Sequence, residues 1–334
     1  MLHACCKLLD VNHEKLVSEL VFALRGQRSQ PALSRRLGYD SNVIYAWESG
    51  RRAPSASDLF ALAAKSRVDI GARLRAFLEL REALDCSVRA GITQLLSVLA
   101  GSRGATELSR SLHIDRTTIA RWLHGQSEPR APELLAFVEV TTSRLLEFLA
   151  LFIDPSLLPS AQRPYRDLLV QRRLAYEEPW SHAVLRALEL ASYRALPSHQ
   201  PGFIAERVGL TLEEEERYLA ALVAAKQIRK HAGRYVVANV MTVDTRPNEE
   251  HNRRLKRHWA SVSLDRFSRA VISDDTLFSF NLFAVDKDTY ARIHALHLEY
   301  YHRVRELVAA SSDPERVVLL NMQLMPLGPA APKR

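Results

Sequence analysis

Residues 30–54 have the sequence QPALSRRLGYDSNVIYAWESGRRAP, and residues 105–129 have the sequence ATELSRSLHIDRTTIARWLHGQSEP. The two stretches belong to a longer internal repeat, in which residues 16–63 align without a gap with residues 91–138, 75 positions later. Leucine, isoleucine, tryptophan, glycine and proline recur at matching places along this alignment. The sequence therefore predicts that one helical unit is used twice in the N-terminal half.

The first copy contains short runs of apolar residues at helical spacing, separated by glycine and proline. These runs predict helices over residues 14–25, 30–37 and 41–49, and a further helix from about residue 55. Asp40 is predicted to be the N-cap of the third helix. Gly50 is predicted to end that helix, because glycine readily adopts the left-handed conformation of a helix exit.

This unit resembles the lambda-repressor-like, or XRE-type, helix-turn-helix domain. The resemblance is carried by residues 30–54, including the run Trp-Glu-Ser-Gly at 47–50 and the Arg-Arg-Ala-Pro that follows. It implies that the second helix of each unit crosses the DNA backbone while the third lies in the major groove. The helices that would enter the groove are 41–49 and 116–124.

The resemblance also implies which side chains contact DNA. The positions that would face base edges are Ser41, Asn42, Ala46, Arg116, Thr117 and Arg121. The positions that would hold phosphates are Arg28, Gln30, Arg51, Arg52, Arg103 and Arg130. Because arginine can form a bidentate pair with guanine, the second copy has side chains better suited to base recognition than those of the first copy. The alternatives are that these arginines are ordinary solvated charges and that the second copy is a degenerate dimerisation unit.

The second copy keeps the apolar framework but departs from the first copy at polar positions. Ala105 stands where the first copy has Gln30, and Leu123 stands where it has Glu48. The formal net charge of the chain is +8. Five arginines in residues 28–52 and five in residues 103–130 outnumber the acidic residues there. This surplus on the repeat suits a polyanionic partner.

The second half of the chain begins after a proline-rich boundary that follows Asp154. Helices are predicted over residues 183–195 and 203–208, with a third capped by Thr211 and a hairpin at 228–231 and 234–237. This order predicts a winged helix. Four glutamates at 213–216 begin its third helix and would be repelled by phosphates. We therefore expect a structural or dimerisation module, with contact through the basic wing as the alternative.

The last segment is predicted to contain helices at 248–270 and 286–310 and strands at 276–285 and 316–326, in a small α+β domain. Its final strand, 320–327, resembles the end of a C-terminal domain of unknown function in a bacterial regulator family, where a helix-turn-helix precedes a winged helix. That resemblance covers about residues 165–327 and implies a transcriptional regulator. The four predicted domains are 12–80, 88–154, 165–240 and 248–327.

Other classes of function find little support in the sequence. His294 and His297 share a helix face as a metal pair would, but interfacial or exposed histidines are the ordinary interpretation. No phosphate-binding loop or nucleophile motif occurs, so we expect neither an enzyme nor a cofactor. Three cysteines without metal-ligand spacing, and no signal peptide or membrane-length apolar run, favour the cytoplasm.

The sequence thus predicts a mainly α protein with two tandem helix-turn-helix domains, a winged helix and a small α+β domain. The expected function is a sequence-specific transcriptional regulator that binds double-stranded DNA as a homodimer. The alternative is a protein-interaction module, antitoxin-like or a defence-system regulator, with secondary DNA binding. An unknown effector or protein partner for the C-terminal domain stays open.

Overall fold

The protein is mainly α-helical. The computed structural model describes residues 11–78, 80, 82–238, 249–269 and 276–328, which form 17 α-helices and one two-stranded sheet. The chain divides into two compact units, with the division between Val170 and Gln171. Both copies of the sequence repeat therefore belong to one unit.

The first unit consists of two sets of five helices in the same order. The first repeat is α1 (His13–Arg25), α2 (Gln30–Arg36), α3 (Val43–Glu48), α4 (Ala56–Lys65) and α5 (Ile70–Leu78). The second repeat is α6 (Arg89–Ala100), α7 (Ala105–Leu112), α8 (Arg116–Leu123), α9 (Ala131–Thr142) and α10 (Leu145–Phe152). A 3-10 turn at Pro155–Leu157 follows, and α11 (Pro159–Glu177) crosses the division.

The two repeats are bonded to each other through equivalent residues. The backbone N–H of Ala56 donates to the carbonyl oxygen of Pro129, and that of Ala131 donates to the carbonyl oxygen of Pro54, both over 2.9 Å. Ser55 and Arg130, which occupy matching positions, face each other in an antiparallel bridge between these bonds. Exchange of the two repeats converts one bond into the other, which is the property of a two-fold relationship.

Helix packing follows the same exchange. Helix α1 packs on α9, and the equivalent contact with the repeats exchanged is that of α6 with α4. Two further contacts each join a helix to its own counterpart, α4 to α9 and α5 to α10. Arg73 of α5 donates to the carbonyl oxygen of Leu151 over 2.9 Å, and Arg144 donates to that of Phe77 over 3.4 Å. The repeats therefore form an intramolecular pseudo-dimer with an approximate two-fold axis, and they are not independent domains joined by a linker.

Aromatic side chains fill the space between the repeats. The rings of Phe60, Phe77, Phe148 and Phe152 form a chain of contacts with centroids between 5.2 and 6.4 Å apart. All four side chains are buried, and each removes on the order of 150–250 Å² of largely apolar surface from water. Such a shared core resists separation of the two repeats.

The second unit contains the C-terminal half of α11 and six further helices with one hairpin. Its elements are α12 (Trp180–Ala187), α13 (Ala191–Arg194), α14 (Phe203–Val208), α15 (Leu212–Ala224), β1 (Ile228–His231), β2 (Arg234–Val237), α16 (Glu249–Arg269) and α17 (Lys287–Ala310). The strands pair antiparallel, with Ile228 opposite Val237. A buried core joins α12, α14, α15 and β1, and Trp259 and Val317 pack against it.

A buried carboxylate holds this core together. The Glu215 side chain is fully buried and accepts backbone N–H donors from Gly202 over 3.1 Å and Ala205 over 2.5 Å. The ring of His199 lies 3.5 Å from the same carboxylate, and Tyr193 lies 3.2 Å from the other nitrogen of that ring. One of the four glutamates that begin α15 is therefore structural and faces the interior.

The predicted strands at 276–285 and 316–326 are wrong for the described residues. The only described strands are β1 and β2, so the described residues 249–269 and 276–328 contain helices without a sheet. Apolar alternation indicates which side chains share a face, but a strand also needs a neighbour that pairs with its backbone. The prediction of a small α+β domain fails for this reason, while the mainly α class is correct.

Two smaller differences concern helix ends. The helix predicted at 183–195 is divided into α12 and α13. The N-cap of α3 is Asn42 rather than Asp40, and α3 begins at Val43. The capping box of Thr211 and Glu214 on α15 is formed as predicted. None of the described helices combines the length and the apolar character that crossing a membrane requires.

Candidate nucleic-acid interface

Helices α3 and α8 occupy equivalent places in the two repeats, but they begin differently. Asp115 caps α8, and one of its carboxylate oxygens accepts the N–H groups of Thr117 over 2.8 Å and Thr118 over 3.2 Å. In the first repeat the carboxamide oxygen of Asn42 performs this role for Tyr45 over 3.3 Å. Arg116 and Thr117 are therefore part of α8, whereas the matching residues Ser41 and Asn42 precede α3.

The inward faces of the two helices are alike. Ile44 and Trp47 of α3 are buried, as are their counterparts Ile119 and Trp122 of α8. Gly50 and Gly125 then leave each helix with φ of 69° and 70°, a left-handed conformation that favours glycine. The shared framework thus holds the two helices in the same local setting.

The side chains predicted to face bases lie on the outer surface. Those that are exposed are Ser41, Asn42, Arg116, Thr117 and Arg121, and Ala46 is half-buried. Two guanidinium groups therefore extend from α8 into solvent, and none extends from the matching positions before and on α3. Such groups can donate in pairs to guanine or phosphate.

Asn42 is constrained by its capping role. Its carboxamide oxygen accepts from the Tyr45 backbone and also from the Ser34 hydroxyl over 3.3 Å. Its NH₂ group is the part of the side chain that can bind DNA without loss of the helix cap. A bidentate adenine contact needs the oxygen as well as the amide, so this residue is poorly placed for that contact.

Tyr45 was not among the predicted site residues. Its ring is 44% exposed on α3, and the guanidinium carbon of Arg51 lies 5.3 Å from the ring centroid. The contact holds Arg51 beside α3 through a cation–π interaction. A tyrosine six residues before the basic pair Arg51 and Arg52 was the available signal, and both arginines are exposed.

Gln30 forms part of an internal polar cluster. Its amide donates to Glu48 over 2.5 Å, and the other carboxylate oxygen of Glu48 accepts from Arg25 over 2.5 Å. The second repeat replaces all three residues together, with Ala100, Ala105 and Leu123. The substitutions at 100, 105 and 123 therefore replace the whole polar cluster with apolar residues.

Arg28 and Arg103 occupy matching positions and both act on helix ends. Arg28 donates to the carbonyl oxygens of Leu24 and Arg25. Arg103 donates to four carbonyl oxygens, those of Leu99, Ala100, Val140 and Thr141. Burial lowers the pKa of the Arg103 guanidinium from its ordinary value. Cations placed at helix C-termini stabilise the unpaired carbonyl groups there.

Arg130 lies beside the approximate two-fold axis, opposite its counterpart Ser55. Its side chain is exposed, and its backbone faces Ser55 in the bridge between the repeats. Of the six predicted phosphate ligands, the side chains that are exposed are Arg51, Arg52 and Arg130. The first two lie directly after α3, whereas the matching residues after α8 are Gln126 and Ser127. The basic loop therefore belongs to one repeat only.

The described residues contain no cluster of three or more His, Cys, Asp or Glu side chains arranged for a metal ion. His294 and His297 lie on α17 without such a set. Cys86, in the described part of the chain, is a buried free thiol, and burial raises its pKa to about 12. That shift suppresses the thiolate that a nucleophile or metal ligand needs.

A family model described as Domain of unknown function (DUF4423) matches residues 161–327. No curated protein and no solved structure matches the chain.

Proposed function

We propose that this chain, which belongs to the Domain of unknown function (DUF4423) family, is a sequence-specific transcriptional regulator that binds double-stranded DNA. The observation that carries the proposal is the pair of helices α3 and α8, held in equivalent places of a pseudo-dimer with their polar faces exposed. In this proposal each repeat is a helix-turn-helix domain whose third helix enters a major groove.

The symmetry of the first unit supports a duplex as the ligand. The backbone of B-DNA has local two-fold axes, and helix-turn-helix dimers match them with two recognition helices. Here the approximate two-fold relation is supplied within one chain by reciprocal bonds of Ala56 and Ala131. Exposed arginines on and beside the helices supply the charge that phosphates require.

In the proposal the second unit does not read bases. Helices α12, α14 and α15 with the β1–β2 hairpin form a winged helix. Exposed Glu213 and Glu216 and half-buried Glu214 at the start of α15 would face phosphates if this helix entered a groove. We assign it a structural or regulatory role for this electrostatic reason.

We also propose that a second copy of the chain docks on residues 277–285 and 317–327. Their backbones form no backbone hydrogen bond with another described residue. Twelve large apolar side chains there are exposed: Leu277, Phe278, Phe280, Leu282, Phe283, Val285, Val318, Leu319, Leu320, Met322, Met325 and Leu327. Together they expose on the order of 1,000 Å², which exceeds the patch that a monomer usually leaves in water.

Both segments lie beside the same turn of α16. Phe278 contacts Phe267 with ring centroids 4.7 Å apart, and Asn321 donates to Ser263 over 3.3 Å. Residues 263 and 267 are neighbours on one helix face. The exposed area meets the roughly 800 Å² per partner of a stable interface. An identical copy offers the same unpaired backbone and apolar faces, so a symmetric dimer satisfies both at once.

The dimer is tested by sedimentation equilibrium of the full chain. We expect a dimer at micromolar concentration and a monomer for the variant Phe280→Ser/Leu282→Glu. Leu157→Glu, at an exposed apolar residue of the first unit, is the matched control and should leave the dimer intact. A wild-type chain that sediments as a monomer would exclude the proposed contact.

DNA binding is tested by gel shift and footprinting on fragments that include the DNA upstream of the chain's own gene, at near-physiological salt. We expect selective binding, and Arg121→Ala should weaken binding to the selected site by about 1–3 kcal/mol and relax its base preference. Arg75→Ala, at an exposed arginine on α5, is the control.

Uniform weak binding to every fragment would exclude specific regulation. A stoichiometric protein partner with little DNA shift would favour the protein-interaction alternative.

A further inference from the structure

We infer that each chain occupies one pair of unlike half-sites, in which the first repeat contacts the phosphate backbone and the second repeat reads bases. This inference rests on the proposed DNA-binding function and specifies its substrate. It is carried by the combination of a nearly symmetric framework with unsymmetric surface residues.

The framework fixes the two helices as one body. The reciprocal 2.9 Å bonds across residues 54–56 and 129–131 join the repeats at the start of α4 and α9. The Phe60–Phe152 contact, with centroids 5.2 Å apart, buries aromatic surface between them. The helices α3 and α8 therefore cannot be placed on distant sites independently. A duplex that binds both helices meets them at the inverted orientation that a two-fold axis imposes.

The second repeat has the side chains for base recognition. Arg116, Thr117 and Arg121 are all exposed on α8. The cap of α8 is provided by Asp115, so none of these three side chains is needed to begin the helix. Two guanidinium groups on one helix favour a half-site that contains guanine.

The first repeat has the side chains for backbone contact. Arg51 and Arg52 are exposed directly after α3, and Arg51 is held against Tyr45. The oxygen of Asn42 is used by the helix cap, and Ser41 and Ala46 offer few groups to a base edge. The residues that match Arg51 and Arg52 in the second repeat are uncharged. The basic loop after the third helix therefore belongs to the first repeat, whereas the exposed guanidinium groups on the third helix itself belong to the second repeat.

The test is guanine methylation interference with the full chain on a duplex trimmed to the shortest protected pair of half-sites. The wild type should show interference in one half-site, and Arg121→Ala and Arg116→Ala should each weaken it in that same half. Binding by each variant should fall by on the order of 10-fold. The control Arg75→Ala should leave the pattern unchanged.

A second measurement separates the roles of the repeats. Replacing Arg51 and Arg52 with Gln should reduce the slope of log K against log salt by about two, while the interference pattern stays in place. Loss of interference in both half-sites on Arg121→Ala would overturn the inference, because it would require two chains that each use the second repeat. Absence of any selective binding would instead overturn the proposed function.

Discussion

The backbone N–H of Ala56 donates to the carbonyl oxygen of Pro129 over 2.9 Å, and the same bond exists with the two repeats exchanged. Ala56 is the first residue of α4, so its N–H is one that the helix itself leaves unpaired. The start of each of two equivalent helices is thus satisfied by the loop of the other repeat. The two reciprocal bonds therefore join the tandem repeats into one pseudo-dimer.

The variant Ala56→Pro tests this bond. Proline is tolerated at the first position of a helix, but it removes the N–H that Pro129 accepts. We expect a loss of about 1–3 kcal/mol in the free energy of unfolding, measured by chemical denaturation. Ala131→Pro removes the exchanged bond and should cost a similar amount.

Ala105→Pro is the matched control for both substitutions. Ala105 is the first residue of α7, and the preceding Gly104 has φ −82° and ψ 164°, an extended conformation that a following proline accepts. Its N–H makes no backbone bond to the other repeat in the described structure. A loss for Ala105→Pro as large as that for Ala56→Pro would show that the ring, and not the missing bond, is responsible.

The polar cluster of Arg25, Gln30 and Glu48 should behave as a unit. Glu48→Leu alone, which introduces the residue of the second repeat, removes the acceptor of both partners and should destabilise the protein by about 1–3 kcal/mol. The triple variant Arg25→Ala/Gln30→Ala/Glu48→Leu copies the second repeat and should recover part of that loss. A mutant cycle by denaturation measures the coupling. Strictly additive effects would contradict the cluster.

Arg103 should stabilise the fold rather than bind phosphate. Arg103→Gln leaves carbonyl oxygens of α6 and α9 without their donor, and we expect a loss of about 1–3 kcal/mol in unfolding free energy. The equivalent Arg28→Gln, which loses bonds only to α1, should cost less. Where a DNA site is available, the salt slope should be unaltered by Arg103→Gln. A slope reduced by about one would assign Arg103 to the phosphate backbone.

His113 marks a turn at which the second repeat is strained. It has φ of 56°, where the first repeat has Gly38 with φ of 87°. We expect His113→Gly to raise the unfolding free energy by about 0.5–1 kcal/mol, because glycine avoids the cost of a left-handed residue. The reverse exchange, Gly38→His, should lower it. No atom lies within 4 Å of a Cβ added at Gly38, so this effect isolates the backbone.

Stability of the second unit should fall in mild acid. Burial, with a smaller contribution from the charge of Arg186, lowers the pKa of His182 to about 4 from an ordinary value of 6.5. Below pH 6.5 His182 is protonated in the unfolded chain but stays neutral in the folded chain. The unfolding free energy therefore decreases as pH falls toward 4. The loss should be roughly 2 kcal/mol from this group. Desolvation lowers the pKa of His199 and His258 in the same direction.

Denaturation of wild type and His182→Gln between pH 7.5 and pH 4.5 measures this effect. The variant should show a shallower dependence over that range, because the group that takes up the proton on unfolding has been removed. An identical dependence in the two proteins would contradict a buried neutral His182.

Local patterns predicted α1 to α4 and α8 to within a few residues. The apolar spacing of Ile44 and Trp47, and the repeat itself, were sufficient because helix formation depends on neighbours in sequence. The strands predicted after residue 275 failed because a strand depends on a partner that alternation does not specify. The N-cap of α3 is Asn42 and not Asp40 because both residue types, two positions apart, can serve as a cap.

The sequence by itself determined that the chain is mainly helical, that one unit occurs twice, and that the outer residues of the copies differ. These properties follow from side-chain polarity and spacing along the chain. Only the tertiary structure decided that the repeats face each other about an approximate two-fold axis, and that Gln30 and Arg103 hold the fold together internally. Both depend on contacts between residues far apart in sequence, such as Ala56 with Pro129, and the geometry of those contacts is set by packing of the whole unit.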